Sequence, residues 1–224
     1  MTEIKAIIFD LDGTLLDSMY VWHYVDEKFL ERRGLKAPDD YAMQCSHRSF
    51  HETALYTIDL FGLSDTPEQL MDEWTRLAIE EYKNNVPLKK NARETLLFAK
   101  EKGYRLAVCT SLTRELFTPA LDRHNITDMF DVLMSSAEFG KGKQYPDVYI
   151  EIANQLGASP SECVMCDDVS ASLKGAKDAG LLTVGIIDKD SAQDIEQMKK
   201  YSDKLITEFD EKVFCEICHR QISQ

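Results

Sequence analysis

The sequence predicts an α/β fold: a doubly wound, Rossmann-like parallel sheet core with an inserted all-helical domain. Three observations carry this. From about residue 88 onward, short apolar runs alternate with segments of helical periodicity, the rhythm of a parallel sheet with helices on both faces. One strand-like run, Ile4 to Phe9, stands apart from the others, separated by residues 18–86, which read as helix throughout. Several strand-like runs also stop at polar residues, as expected where the carboxyl ends of such a sheet bind ligands.

Each element has a local reason. Ile4–Phe9 is a continuous apolar run, the pattern of a strand buried on both faces, and stops at Asp10-Leu-Asp-Gly-Thr. In residues 18–34, Val21, Val25 and Phe29 fall at helical spacing, and Gly34 after Glu-Arg-Arg is a stop signal. Thr66-Pro67-Glu68-Gln69 is a helix start, with a capping hydroxyl, Pro in the first turn and Gln at the capping-box position. Then come a helix from Ala92 to Lys102 closed by Gly103, a strand from Arg105 to Cys109, a helix from Arg114 to His124 and a strand from Val132 to Ser135. A helix from Pro146 to Leu156 closed by Gly157, a strand from Cys163 to Cys166, a helix from Ser172 to Ala179 closed by Gly180 and a strand from Thr183 to Ile187 complete the pattern. The core is thus assigned to 1–17 and 87–224 and the insert to 18–86, with linkers near 15–18 and 86–90.

Composition narrows the function. The chain has 224 residues, long enough for a sizeable core without disulfide staples. A net charge of −13 argues against a nucleic-acid or anionic-membrane binder, while leaving room for a locally positive pocket. No apolar run approaches the roughly 18 residues of a membrane span, and Met-Thr-Glu-Ile-Lys-Ala-Ile-Ile-Phe-Asp does not read as a signal peptide. Six cysteines are too sparse for a disulfide framework, so reduced thiols and a cytoplasmic location are expected. The expectation for assembly is a monomer.

The chemistry concentrates at strand ends. The first strand runs into Asp10 and Asp12, the second into Thr110-Ser111, and another into Asp167-Asp168, with a Lys-rich loop, Gly140-Lys-Gly-Lys-Gln-Tyr-Pro-Asp147, between the last two. Four acids in one place repel and call for a cation; an all-oxygen set suits Mg²⁺. With a lysine and hydroxyls beside it, the set points to phosphoryl transfer. Each residue has an ordinary alternative when taken alone: a turn after a strand for Asp10 and Asp12, a solvated loop lysine for Lys143, helix caps for Thr110, Ser111, Asp167 and Asp168.

In combination and in this order, these motifs resemble the haloacid dehalogenase superfamily, in the branch with a helical cap inserted after the first motif, similar to β-phosphoglucomutase-like phosphatases. The resemblance runs from Ile4 to about Phe209. It implies that Asp10 is the nucleophile, forming an aspartyl-phosphate, and Asp12 the general acid and base. It implies phosphate binding by Thr110, Ser111 and Lys143, with Lys143 preferred to Lys141 because Lys143-Gln-Tyr-Pro-Asp147 matches the family's Lys-Pro-x-Pro-Asp pattern. It implies a Mg²⁺ site made by Asp10, the Asp12 carbonyl, Asp168 and Asp167. Three positions depart from the family pattern: Leu112 and Val169 where Ser, Thr or Asn is common, and Gln144 for Pro. They imply a pocket tuned differently, with Leu112 giving up one phosphate contact.

The insert is expected to set the substrate and to open and close over the site. Cys45-Ser-His-Arg-Ser-Phe-His-Glu52 matches the place of the family's specificity loop, offering His47, Arg48 and His51, with Arg48 suited to a second phosphate or a carboxylate. Mutase relatives carry a cap histidine at the position of Trp22, and His23 is one place off, which counts against a mutase. Tyr20 and Trp22 read instead as an apolar lid or as core. Cys163 and Cys166, three apart on a strand, point to opposite faces and read as core, whereas Cys215-x-x-Cys218-His219 reads as a helical tail and not a zinc site. The expected activity is Mg²⁺-dependent hydrolysis of a small phosphorylated metabolite such as a sugar phosphate. The rivals are a phosphomutase, a dehalogenase (opposed by Asp12) and a non-catalytic sensor of phosphorylated metabolites.

Overall fold

The computed structural model describes residues 3–46, 48–188 and 193–218. His47 and His219 lie outside the described residues, as does the side chain of Cys218. Among the described residues, six strands, β1 (Ala6–Phe9), β2 (Arg105–Thr110), β3 (Val132–Ser135), β4 (Cys163–Asp167), β5 (Leu182–Ile186) and β6 (Lys204–Ile206), form one sheet in the order β3-β2-β1-β4-β5-β6. All neighbouring pairs are parallel. The helices are α1 (Val21–Arg32), α2 (Tyr41–Ser46), α3 (Phe50–Phe61), α4 (Pro67–Asn84), α5 (Ala92–Glu101), α6 (Arg114–Arg123), α7 (Ser136–Phe139), α8 (Asp147–Gln155), α9 (Ser170–Asp178), α10 (Ile195–Tyr201) and α11 (Glu211–Cys218).

The apolar runs explain the layering. All four residues of β1 are buried, and alternate side chains serve opposite faces. Ala6 and Ile8 join Tyr149, Ile152, Met165 and Ala176 in the core under α8 and α9. Phe9 turns the other way, stacking on Phe214 with ring centroids 6.0 Å apart and meeting Phe209 edge-on at 6.1 Å. Each such ring contributes about 1.5–3 kcal/mol by leaving water. Cys163 and Cys166 are both buried on β4, and only Cys163 belongs to the core beneath α8 and α9. The sixth strand, β6, was not anticipated: Lys-Leu-Ile is three residues long with two of them only half-buried, too weak a pattern to read. Its pairing to β5 supplies what its sequence does not.

The chain divides into two compact units, 1–19 with 86–224, and 20–85. In the first, the two passages of chain flanking the break are tied together. The Asp17 N–H donates to Pro87 O at 2.9 Å, the Lys89 N–H to Leu15 O at 2.9 Å, and Leu16 and Leu88 form an isolated antiparallel bridge.

The second unit is helical, α1 to α4. Val21, Val25, Phe29 and Leu30 of α1 are buried, as are Leu70, Trp74, Leu77, Ala78 and Tyr82 of α4. Thr66 and Gln69 close the anticipated capping box on α4, and Ser49 and Glu52 close a second on α3, giving Glu52 a structural partner. Phe29 meets Trp74 edge-on at 5.5 Å, and the Arg33 guanidinium sits 3.9 Å from the Phe29 ring while making two hydrogen bonds to Glu73.

On α1, Asp26 is half-buried, and burial pushes its carboxyl up to about 6, an effect opposed by His23. A carboxyl raised on folding costs stability once pH exceeds its unfolded value, because the folded state holds the proton longer. Asp26→Asn is therefore expected to stabilise the protein by about 1 kcal/mol at pH 7.5, allowing for its exposed share. The melting temperature should rise by about 2–4 °C, and the gain should vanish near pH 4. A thermal melt series across that range checks it; an equal gain at both ends would remove the charge explanation.

Candidate active site

Register brings the polar strand ends together. Phe9 of β1 lies beside Val108 of β2 and Cys166 of β4, so the next residues, Asp10, Cys109 and Asp167, share one level at the carboxyl edge. Thr110 ends β2 beside Ser135 of β3. A cavity of about 330 Å³ opens there, with Asp10, Asp12, Thr110, Ser111, Lys143 and Asp168 in its wall. The structure thus gathers these predicted site residues in one place, with Asp167 fully buried against Lys143.

Carboxylate oxygens of Asp10, Asp167 and Asp168 come within 4.8 Å of one another, and all three side chains are buried. Lys143, 7% exposed, lies 2.8 Å from Asp10 Oδ1 and 2.8 Å from Asp167 Oδ2. Lys141 instead pairs with Asp147 at the surface. Burial alone would push the Lys143 ammonium down, the largest single effect; Asp10 and Asp167 together reverse it and hold it well above the ordinary lysine value. Burial, then the charges of Asp10 and Asp167, raises Asp168. Burial raises Asp167 too, against the pull of Lys143. One ammonium among three carboxylates leaves excess negative charge out of water, and a divalent cation with oxygen ligands fits that donor set. Asp167 is the most engaged of the three: Oδ2 takes Lys143, and Oδ1 accepts the Val169 N–H at 2.8 Å. Asp10 and Asp168 are accordingly better placed to hold an ion.

Asp12 shares the cavity wall but is not one of those three acids. Its Oδ1 accepts a hydrogen bond from Ser18 Oγ at 2.5 Å, and Ser18 is buried. Sequence reading missed Ser18, for nothing in its spacing announces that the chain turns back. The turn itself is written in Gly13, with φ of +69°; a Cβ there would sit 2.4 Å from Asp168 Oδ2. Only glycine lets the loop after β1 pass this close to the acid after β4.

At the end of β2, Thr110 Oγ1 accepts the Leu112 N–H at 3.2 Å, and Leu112 O accepts from Ser135 Oγ at 2.7 Å. Leu112 turns its side chain inward, so its backbone, not its side chain, braces the rim. Val169 is 46% exposed at the cavity wall.

In the helical unit, Arg48 is occupied by its own surroundings: its guanidinium lies 4.2 Å from the Tyr56 ring and donates to Gln44 O. It also lines a cavity of about 330 Å³ with Trp22, Asp26, Cys45, Phe50 and Trp74. His51 is at the surface, 4.0 Å from Glu68. Tyr20 and Trp22 are about two-fifths exposed, which overturns their reading as core; Tyr20 bonds to Glu81 at 2.8 Å and Trp22 packs edge-on against Phe50.

Lys143 is positioned by backbone packing. Tyr149 Oη lies 2.9 Å from both Lys143 O and Ser172 O, and a Cβ on Gly175 of α9 would fall 2.2 Å from Lys143 O. Alanine is normally favoured over glycine inside a helix by about 1 kcal/mol. Here the clash with backbone reverses the sign: Gly175→Ala is expected to destabilise by about 1–3 kcal/mol, read as a lower denaturation midpoint. A stabilised Gly175→Ala protein would show that the loop yields freely.

A model of haloacid dehalogenase-like hydrolases matches residues 7–186. The chain is 25% identical over 182 residues to the phosphorylated carbohydrates phosphatase of Thermotoga maritima, covering 80% of this chain and 82% of that one. It is 29% identical over 188 residues to the phosphoglycolate phosphatase of Aquifex aeolicus, covering 80% and 83%. Among solved structures, a Thermotoga maritima protein provisionally called a β-phosphoglucomutase superposes with a TM-score of 0.83 at 21% identity, covering 97% and 98% of the two chains.

Proposed function

The chain belongs to the haloacid dehalogenase-like hydrolases, and from that premise we propose that it hydrolyses a small phosphomonoester, a phosphorylated sugar or similar metabolite, through an aspartyl-phosphate on Asp10. The observation that carries this reading is the buried Lys143 ammonium shared by Asp10 and Asp167 beside Asp168. A carboxylate so placed can receive a phosphoryl group while the ammonium offsets the charge that accumulates.

In this reading an Asp10 oxygen attacks phosphorus and the ester P–O bond breaks. The Asp12 carboxyl gives its proton to the leaving oxygen, then takes one from the water that cleaves the aspartyl-phosphate, restoring Asp10 and releasing phosphate. Ser18 holds Asp12 in place through its hydroxyl. Thr110 and Ser111 at the rim, with Lys143, bind the phosphoryl oxygens. Asp10, Asp168 and the Asp12 carbonyl would hold Mg²⁺, with Asp167 behind them; the ion, when bound, supplies positive charge to the transferring group. The choice of leaving group is assigned to the insert, with Arg48 and His51 as the residues to test.

Phosphate release from a panel of phosphorylated metabolites, with Mg²⁺ and with a chelator, tests the reading. Release should need the metal, and Asp10→Asn should lower it about a thousandfold or more. Asp12→Ala should slow both formation and hydrolysis of the intermediate. Release that survives Asp10→Asn would overturn the assignment. Isomer formation without net phosphate would make the protein a mutase, and binding without turnover would make it a sensor.

A further inference from the structure

We infer that Gln193 is a positioning residue that fixes Asp168 for metal binding. The inference rests on the reading of Asp168 as a metal ligand and goes beyond it to a residue in none of the sequence motifs. Gln193 follows β5, in the segment leading to α10. Its amide nitrogen donates to Asp168 O at 2.7 Å and to Ile186 O at 2.8 Å, while its Oε1 accepts the Asp188 N–H at 3.0 Å. Both amide hydrogens and the oxygen are therefore used, and only one orientation of the amide satisfies all three partners.

One side chain thus ties the end of β4 to the end of β5. Asp168 has little room to move: the Gly13 backbone passes so close that even a methyl group would collide with its carboxylate. A displacement of the Asp168 backbone would carry its carboxylate away from Asp10, which now lies within 4.8 Å of it. Nearby, the buried Asp188 carboxylate pairs with Lys89, which also reaches Asp17 at 3.3 Å. Gln193 is therefore itself anchored, through the Asp188 backbone, to a fixed ion pair. Groups of this kind, once removed from a ligand they orient, typically cost 10–100-fold in metal affinity.

The test uses the full chain with Gln193→Glu, which keeps the shape but presents acceptors to two carbonyls, and Gln193→Met, which keeps the length without hydrogen bonds. Mn²⁺ is titrated into each protein without substrate, followed by the loss of free-ion electron paramagnetic resonance signal. The expected result is binding about 10–100-fold weaker in both variants. The Mg²⁺ concentration for half-maximal phosphate release should rise in parallel, and kcat at saturating metal should change little. If either variant fails to fold, the other carries the test. Folded variants that bind Mn²⁺ as the parent does would overturn the inference, including when their melting temperatures fall, because that pattern belongs to a structural brace. A parent protein that binds no Mn²⁺ would overturn the metal reading and the inference together; a parent that binds, with unchanged variants, overturns the inference alone.

Discussion

Three carboxylates share a buried corner with one ammonium, and the conformation of the surrounding loops follows from that crowding. Removing these groups from water is costly, and the cost is met only if each charge finds a partner of opposite sign or a hydrogen-bond donor. Lys143 answers for Asp10 and Asp167, and the Val169 N–H takes the other Asp167 oxygen. That solution fixes neighbours at a distance. Lys143 reaches the corner only because its backbone is pressed against the bare Cα of Gly175, and Asp168 fits only because residue 13 has no side chain.

Much of this was legible in the sequence because its signals are local. Ile4–Phe9 is apolar without interruption, and Asp10 breaks the run at the sheet edge. Thr66 and Gln69 form the cap their spacing implies. What sequence reading missed depends on approach in space. Ser18 reaches Asp12 only after the chain turns back, β6 is defined by its partner, and Leu112 braces the rim through backbone atoms that any residue possesses. Trp22 was open to two readings, an apolar lid or core, and burial decides only against core. Val21 and Val25 claim the inward face of α1 and leave the indole at the wall of a cavity, against Phe50.

The two units solve different problems with the same chain. In the core, polar atoms collect at one edge of a sheet whose interior is apolar, so the candidate site and the apolar packing occupy separate places. In the helical unit, a guanidinium over Phe29 and another over Tyr56 let cations join the packing of rings. Arg48, held by Tyr56 and the Gln44 carbonyl at a cavity wall, is already oriented and would lose little further freedom on meeting an anion.

The place of β1 in the sheet also bears on how the chain assembles. It lies between β2 and β4, yet Ala6 meets Arg105 and Cys163, 99 and 157 positions further on. The first strand made is thus stranded until much of the polypeptide exists, with its apolar side chains unpaired. Closing so long a loop costs entropy that grows slowly with length. The helical insert, once folded as a unit, and the ties from Asp17 to Pro87 and Lys89 to Leu15 pinch off residues 20–85 and shorten the loop that β1 must close. An insert that folded first as a unit would thereby lessen the separation that it creates between the partners of the sheet.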